Sequence, residues 1–156
     1  MTTYSATNID EIAITGSGAD DTVPNSGTIS AFGTASTTIA VGDIGVCTIL
    51  PANHVPVDLI LDFGDCDSGT SLVVEAGFVG NDDAGDDDSD AFGTGYTTGQ
   101  AGGIARANAA GFTRIAAADH DRKVGIKVTT LGVAPATPGK VTAVLLSRPK
   151  ASNRER

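Results

Sequence analysis

The sequence predicts an all-β protein, an antiparallel β-sandwich with an extended N-terminal arm; a jelly roll is one topology that fits the pattern. Twenty glycines in 156 residues, together with many threonines, favour turns and strands over helices. Several short runs alternate apolar and polar residues, as half-buried strands do. We expect about seven or eight strands and at most one short helix. No repeat of a solenoid or propeller is visible.

The length predicts one folded domain with a segment at each end. A chain of 156 residues buries about 68–70% of its unfolded surface, so the core needs neither disulfide nor metal. We divide the chain into an N-terminal arm at 1–27, a β-sandwich domain at 28–148 and a basic C-terminal tail at 149–156.

The stretch 57–79 carries the clearest local pattern. Apolar residues occupy every second position in its first part: Val57, Leu59, Leu61 and Phe63. Asp, Ser and Gly dominate residues 65–69, and a second β-prone run follows at 71–79. Two such runs joined by five turn-forming residues predict a β-hairpin, with the four alternating side chains in the core.

The other predicted elements lie on both sides of this stretch. Strands are predicted at 37–41, 46–50, 112–117, 123–131 and 140–146. In the fourth of these, Val124, Ile126 and Val128 share one face, and the last is apolar enough to be central. Residues 80–111 are expected to form long loops, with one or two helical turns near 104–110.

The arm contains the candidate contact residues. Ile9, Ile12 and Ile14 stand among acidic residues, before a Gly/Ser/Asp-rich run. They predict either a short strand that pairs with a partner or a disordered terminus. We favour the partner-bound interpretation, because this spacing is unusually apolar for a disordered leader.

Charge is unevenly distributed along the chain. Sixteen acidic residues and no Lys or Arg precede Arg106, whereas 106–156 carry ten basic and three acidic residues. Acidic loops that keep the fold soluble are one interpretation. The other is that opposite charges meet, within one sandwich or between subunits. Nucleic-acid binding is disfavoured, because it needs a concentrated positive surface.

Six aspartates in residues 80–90 form the best metal candidate. Asp86, Asp88 and Asp90 follow calcium-loop spacing, but Ala91 and Thr97 stand where that loop needs its glycine and its bidentate glutamate. A solvated acidic loop is favoured, and calcium binding is left open.

No other residues form a catalytic pattern. His54 and His120 are interpreted as surface histidines. No signal peptide or membrane span is expected, so Cys47 and Cys66 are expected to be free thiols made in a cytoplasm. We assign no catalytic, cofactor or metal residue.

An order of features extends over residues 37–147. Leu50-Pro51 precedes the strand at 57–63, and Leu72-Val-Val-Glu-Ala-Gly77 and a Gly/Thr/Ala-rich region follow. Asp121-Arg-Lys-Val-Gly-Ile-Lys-Val128, a Pro-Gly turn and a closing strand complete it. In this order the chain resembles the decoration, or cement, proteins on the heads of tailed bacteriophages. The Asp-rich loop departs from the pattern.

The resemblance implies a non-enzymatic virion protein that binds the outer capsid surface and stabilises capsid subunits. Its partners would be the major capsid protein and other copies of itself, as a dimer or trimer, with Ile9, Ile12 and Ile14 in contact. Neither nucleic acid nor membrane would take part, and no cofactor is expected. The alternative is a receptor-binding or carbohydrate-binding module of the virion.

Overall fold

Two β-sheets pack face to face and enclose the core. The computed structural model describes residues 1, 3–5, 23–32, 39–107, 109–130 and 139–150. Within this part of the chain, one sheet has five strands in the order β1-β3-β8-β5-β6, and the other has four in the order β2-β9-β4-β7. The predicted β-sandwich is confirmed, but this strand order does not confirm a jelly roll.

The elements follow the chain in this order: β1 Thr3–Ser5, β2 Val23–Phe32, β3 Ile44–Leu50, β4 His54–Phe63, β5 Val73–Phe78, β6 Asp88–Tyr96, β7 Gly103–Arg106, α1 Ala109–Phe112, β8 Arg122–Thr130 and β9 Gly139–Pro149. Short 3-10 turns cover Ala84–Asp86 and Thr98–Gln100. Neighbouring strands run antiparallel, except that β1 is parallel to β3.

The predicted hairpin at 57–79 is wrong. Its two strands exist, but β4 belongs to the four-stranded sheet and β5 to the five-stranded one. The connection between them is organised by the buried carboxylate of Asp67, which accepts hydrogen bonds from the backbone N–H groups of Gly69, Ser71 and Leu72 at 2.8–2.9 Å. These bonds stabilise a connection that crosses from one sheet to the other. From the sequence alone, such a connection looks the same as a hairpin turn.

A β-bulge corrects the predicted core face of β4. Leu59, Leu61 and Phe63 are buried, but Val57 is 41% exposed. The register with β9 shifts between Pro56 and Asp58, so one extra residue turns the Val57 side chain outward. The alternation in the sequence therefore holds on only one side of the bulge.

The predicted faces of the last two strands are confirmed. Val124, Ile126 and Val128 of β8 are fully buried, and β9 lies between β2 and β4. The core also contains a row of aromatic rings: the Phe78 and Phe92 centroids lie 5.1 Å apart, and those of Phe92 and Phe112 lie 5.4 Å apart. Such distances are typical of favourable aromatic pairs.

Two predictions for the middle of the chain are wrong. Residues 80–111 are not merely loops, because they include β6 and β7. Residues 112–117 form no strand; Phe112 ends α1, and its buried ring rests against Phe92. The many glycines of 91–111 weaken the alternation that would have revealed these strands.

Parts of the predicted arm lie in the sheets. Thr3–Ser5 pairs with β3, the ring of Tyr4 packs 4.9 Å from that of Phe32, and β2 begins at Val23. The division into arm, domain and tail stays a prediction, because residues 6–22 and 151–156 lie outside the described part of the chain.

Candidate contact surface at one end of the sandwich

Several strand ends meet at one end of the sandwich. β3 ends there at Leu50, opposite Arg122 at the start of β8, and β2 begins there at Val23, opposite Ser147 near the end of β9. β1 runs parallel to β3 and therefore points toward the same end. We call this the exit end, defined by residues 51–53, 79–87, 116–121 and Lys150.

The turn at 51–53 is fixed by hydrogen bonds from both sides. Asn53 has a left-handed backbone with φ of 60°, and its N–H donates to the Ala118 carbonyl at 2.6 Å. Its own carbonyl accepts from the Lys150 N–H at 2.7 Å. The Ala52 N–H donates to Oδ1 of Asp121 at 2.7 Å. These bonds join three segments distant in sequence into one firm surface.

Asn81 connects the aspartate-rich segment to β8. Its Oδ1 accepts from the Lys123 N–H at 2.7 Å, and its Nδ2 donates to Oδ1 of Asp87 at 2.9 Å. The Lys123 ammonium lies 2.9 Å from an Asp82 carboxylate oxygen. The acidic segment is thus held against the sheet by its own contacts.

His120 lies between two carboxylates of this end. Nδ1 is 2.9 Å from Oδ1 of Asp119, and Nε2 is 2.9 Å from Oδ2 of Asp86. The Asp119 hydrogen bond is the largest influence, and with the Asp86 contact it raises the pKa of His120 despite the cost of burial. These two contacts join 116–121 to 79–87 and favour the imidazolium form of His120.

The uneven charge along the chain is matched within the sandwich. Basic residues of the last third pair with acidic residues before them: Arg106 with Asp58, Lys123 with Asp82, and Lys127 with Glu75. The Lys127 pair spans 3.2 Å, and Lys127 also donates to the Ser89 hydroxyl at 3.1 Å. For these pairs, the opposite charges of the early and late parts of the chain meet within one sandwich.

Both thiols are free, as expected, and both are also buried. Burial raises the pKa of Cys47 to about 12, and burial with Asp65 and Asp67 nearby raises that of Cys66 to about 12. Neither is a thiolate nucleophile at neutral pH. His54 Nδ1 lies 2.9 Å from the Ala52 carbonyl oxygen.

A cavity of about 410 Å³ lies at the exit end. It is lined by Asp82, Asp83, Asp86, His120, Asp121 and Lys123, with Ile49 and Asn81.

Within the described residues, no three His, Cys, Asp or Glu side chains are placed so that they could hold a metal ion. Those residues also include no helix long and apolar enough to cross a membrane.

The four outer strands are poor templates for pairing. β1 has three residues and β7 four. β2 carries Pro24 and a register shift, and β6 carries Asp88, Asp90 and two positive-φ glycines. Short, charged, proline-bearing or bulged edges discourage addition of another strand. Among the strands that the structure describes, none therefore offers a second copy a long, flat edge.

The predicted contact residues Ile9, Ile12 and Ile14 lie outside the described residues. The structure does describe their flanks, Ser5 and Val23, on strands that point to or begin at the exit end. Sequence reasoning singled out Asp86 and His120 separately but did not bring them together. It missed the structural roles of Ala52, Asn53 and Asn81. The one available signal was the position of Asn53 between Pro51 and Pro56, since Asn adopts a positive φ more readily than most residues.

Comparison with known proteins places this architecture among phage capsid structures. No protein-family model matches the chain, and no curated protein does either. A chain in the capsid of Ralstonia phage GP4 is 28% identical, with a TM-score of 0.78; the match covers 97% of this chain and 100% of that one.

Two further capsids contain chains of the same fold. The match to a chain in the Cyanophage Pam1 capsid asymmetric unit has 20% identity and a TM-score of 0.65, and covers 88% of this chain and 92% of that one. For a chain in the capsid of Helicobacter pylori bacteriophage KHP30 the identity is 13% and the TM-score 0.52, with coverage of 83% and 89%. The resemblance to structural proteins of phage capsids is confirmed; these matches do not specify a decoration role.

Proposed function

We propose that the chain is a non-enzymatic structural protein of a bacteriophage virion that binds the outer capsid surface and stabilises the shell. The observation that carries this proposal is the match to the phage GP4 capsid chain, which is covered over its full length. The match covers 97% of this chain and 100% of that one, so the likeness extends over the whole sandwich.

The proposed mechanism is bridging. A small domain that touches two or more shell subunits buries surface only when those subunits are assembled, so binding shifts the equilibrium toward the shell. Several copies arranged as a dimer or trimer would add avidity. The partners are the major capsid protein and other copies of this chain, and Ile9, Ile12 and Ile14 are the proposed contacts.

The aromatic residues argue against the alternative of a carbohydrate-binding module. Sugar sites generally stack their ligands on exposed aromatic rings, but all five phenylalanines are buried: Phe32, Phe63, Phe78, Phe92 and Phe112. Tyr4 packs against Phe32, and Tyr96 donates its hydroxyl hydrogen to the Phe92 carbonyl at 2.9 Å. Both tyrosines are half-buried, so the described residues include no fully exposed aromatic ring.

Cryo-electron microscopy of particles with and without this protein tests the proposal. We expect ordered density for the sandwich on the outside of the shell, at positions that span neighbouring subunits. A glycan-binding screen is the parallel test of the rival function. Specific glycan binding combined with no density on the shell would replace the proposal with the carbohydrate-binding alternative.

A further inference from the structure

We propose that two copies of this chain pack face to face through the outer face of the four-stranded sheet. The contact surface, which we call the β4–β9 face, consists of the outward side chains of β4 and β9. This inference rests on the proposed function and adds to it the surface through which two copies meet on the shell.

The outer face of the four-stranded sheet is apolar at its centre. Val144 and Leu146 alternate with the buried core residues of β9, so they point outward, and both are half-buried. Ile60 lies directly opposite Val144 on β4 and is also half-buried. Val57, which the bulge turns outward, extends this surface. Because a solvated sheet face normally carries polar residues, apolar side chains at its centre indicate a contact with another protein surface.

The outer face of the five-stranded sheet has the polar character of a solvated face. Lys127 of β8 pairs with Glu75 of β5, and Ser89 of β6 donates a hydrogen bond to the same carboxylate. Lys123 pairs with Asp82. These charges are already paired within the chain, so this face is suited to solvent, and the apolar face opposite it is the one that gains from being covered.

The charges of the β4–β9 face are self-complementary. Asp62 of β4 lies opposite Thr142 of β9, three residues from Leu145 at the centre of the β4–β9 ladder. Arg148 lies three residues from Leu145 on the other side. Asp62 and Arg148 are both exposed, and no ion pair joins either one to another described residue. The face therefore carries one available acid and one available base at equal distances from its centre.

A two-fold axis brings these charges together. If the axis lies between two facing sheets, perpendicular to the strands, and crosses β9 at Leu145, Arg148 of each copy stands over Thr142 of the other. Asp62 is on the neighbouring strand, about 4.8 Å away, within reach of an arginine side chain. In such an isologous contact the same pair forms twice. A second copy of the chain therefore fits the charges of this face.

The other groups of this sheet are compatible with the contact. Asp58 is 7% exposed and is bound by the Arg106 guanidinium, and the hydroxyl oxygens of Thr28 and Thr142 lie 2.9 Å apart. Neither pair needs a group from the partner. Ile104, on the edge strand β7, lies at the rim, where single side chains contribute little to affinity.

The size of the face predicts a weak contact. Its four strands lie about 4.8 Å apart and run for about 30 Å, so the face covers roughly 600 Å². Two such faces bury about 1,200 Å² in total, which is the lower end for specific interfaces. The edges of both sheets discourage strand addition, so face-to-face packing is the route to association that the described strands leave open. A shell that holds the copies close together would strengthen the contact.

Sedimentation velocity of the purified chain tests the contact at concentrations from about 5 to 500 μM. We expect a dimer whose fraction rises with concentration. Leu146→Asp places an unpaired carboxylate at the centre of the contact and should weaken dimerisation at least about tenfold. Thr129→Asp is the matched control, because it adds the same charge to an exposed position on the outer face of β8 and should leave dimerisation unchanged. Circular dichroism shows that each variant is folded.

Charge reversal tests the proposed pairing at exposed positions, where the core is not disturbed. Asp62→Arg alone or Arg148→Asp alone sets like charges against each other and should weaken dimerisation at least about threefold. The double variant restores opposite charges across the axis and should regain the affinity of the native chain.

Three results would overturn the contact. The first is a monomer at every concentration, and the second is a double variant that dimerises no better than the single variants. The third is loss of particle binding by Leu146→Asp with unchanged dimerisation, which would assign the face to the capsid protein instead. A chain that dimerises as expected but binds no particles would support the contact and refute the proposed function.

Discussion

The structural role of a residue in this protein depends more on its surroundings in the fold than on its amino-acid type. Asp67 is an example: Asp and Gly around it read as a surface turn, yet its carboxylate is buried and organises the crossing between the two sheets. Val57 is the reverse, an apolar residue in an alternating run that a bulge places outside. Both depend on three-dimensional pairing that the sequence does not encode locally.

The role of Asp67 predicts a large stability loss. Asp67→Ala removes the acceptor for three backbone N–H groups and leaves the buried one of Leu72 without a partner, so we expect the free energy of unfolding to fall by about 2–4 kcal/mol. Urea unfolding followed by circular dichroism measures it. Asp67→Asn keeps one acceptor oxygen and should lose less; equal losses would contradict the role.

The bulge in β4 predicts unequal effects of two neighbouring truncations. Leu59→Ala opens a cavity in the core and should cost about 2–5 kcal/mol of unfolding free energy. Val57→Ala, at a half-exposed position, should cost less than about 1 kcal/mol. Similar losses at the two positions, measured by the same urea titrations, would mean that both side chains face the core.

His120 predicts a pH-dependent contribution to stability. Its pKa is raised in the folded state, so the contribution is fully present below its unfolded value, about 6.5, and is lost as the pH rises through the folded pKa. The difference in Tm between the native protein and His120→Gln should be largest below about pH 6 and should shrink as the pH rises above about 6.5. A Tm difference that does not change with pH would contradict this prediction. It would show that protonated His120 gains no stability from Asp86 and Asp119.

At the scale of elements, strands with a sustained pattern were predictable and short glycine-rich ones were not. β8 and β9 follow from alternation and apolar content, and their positions in the sheets agree. β6 and β7 were missed because Gly93, Gly95 and Gly103 interrupt any period of two. Assignment of β4 and β5 to different sheets was out of reach, because consecutive strands are more often paired.

The arm gives the prediction that belongs to this scale. A triple substitution Ile9→Ser, Ile12→Ser and Ile14→Ser removes three apolar side chains without touching β1 or β2, and should weaken binding to particles at least about tenfold. Unfolding should be unchanged. Ile104→Ser is the matched control, since Ile104 is 72% exposed on β7 and should leave binding intact. Full binding by the triple variant would remove the arm from the contact.

At the scale of the whole molecule, the sequence was informative about the fold class and silent about which segments meet at each end of the sandwich. Composition and strand pattern predicted a sandwich, and the order of soft motifs pointed to phage capsids; the structure and its matches agree with both. The candidate contact surface was not predictable, because this end of the sandwich is assembled from residues 51–53, 79–87, 116–121 and Lys150. Only the folded chain brings these segments together.

Shell stability tests the central claim most directly. Empty capsid shells lacking this protein are heated with and without a saturating amount of the purified chain, and their disassembly is followed by light scattering. Because a ligand that binds only the assembled state stabilises it by mass action, shells with the chain should disassemble at a higher temperature, by a margin that grows with its concentration. Disassembly at the same temperature at every concentration would contradict a capsid-stabilising role.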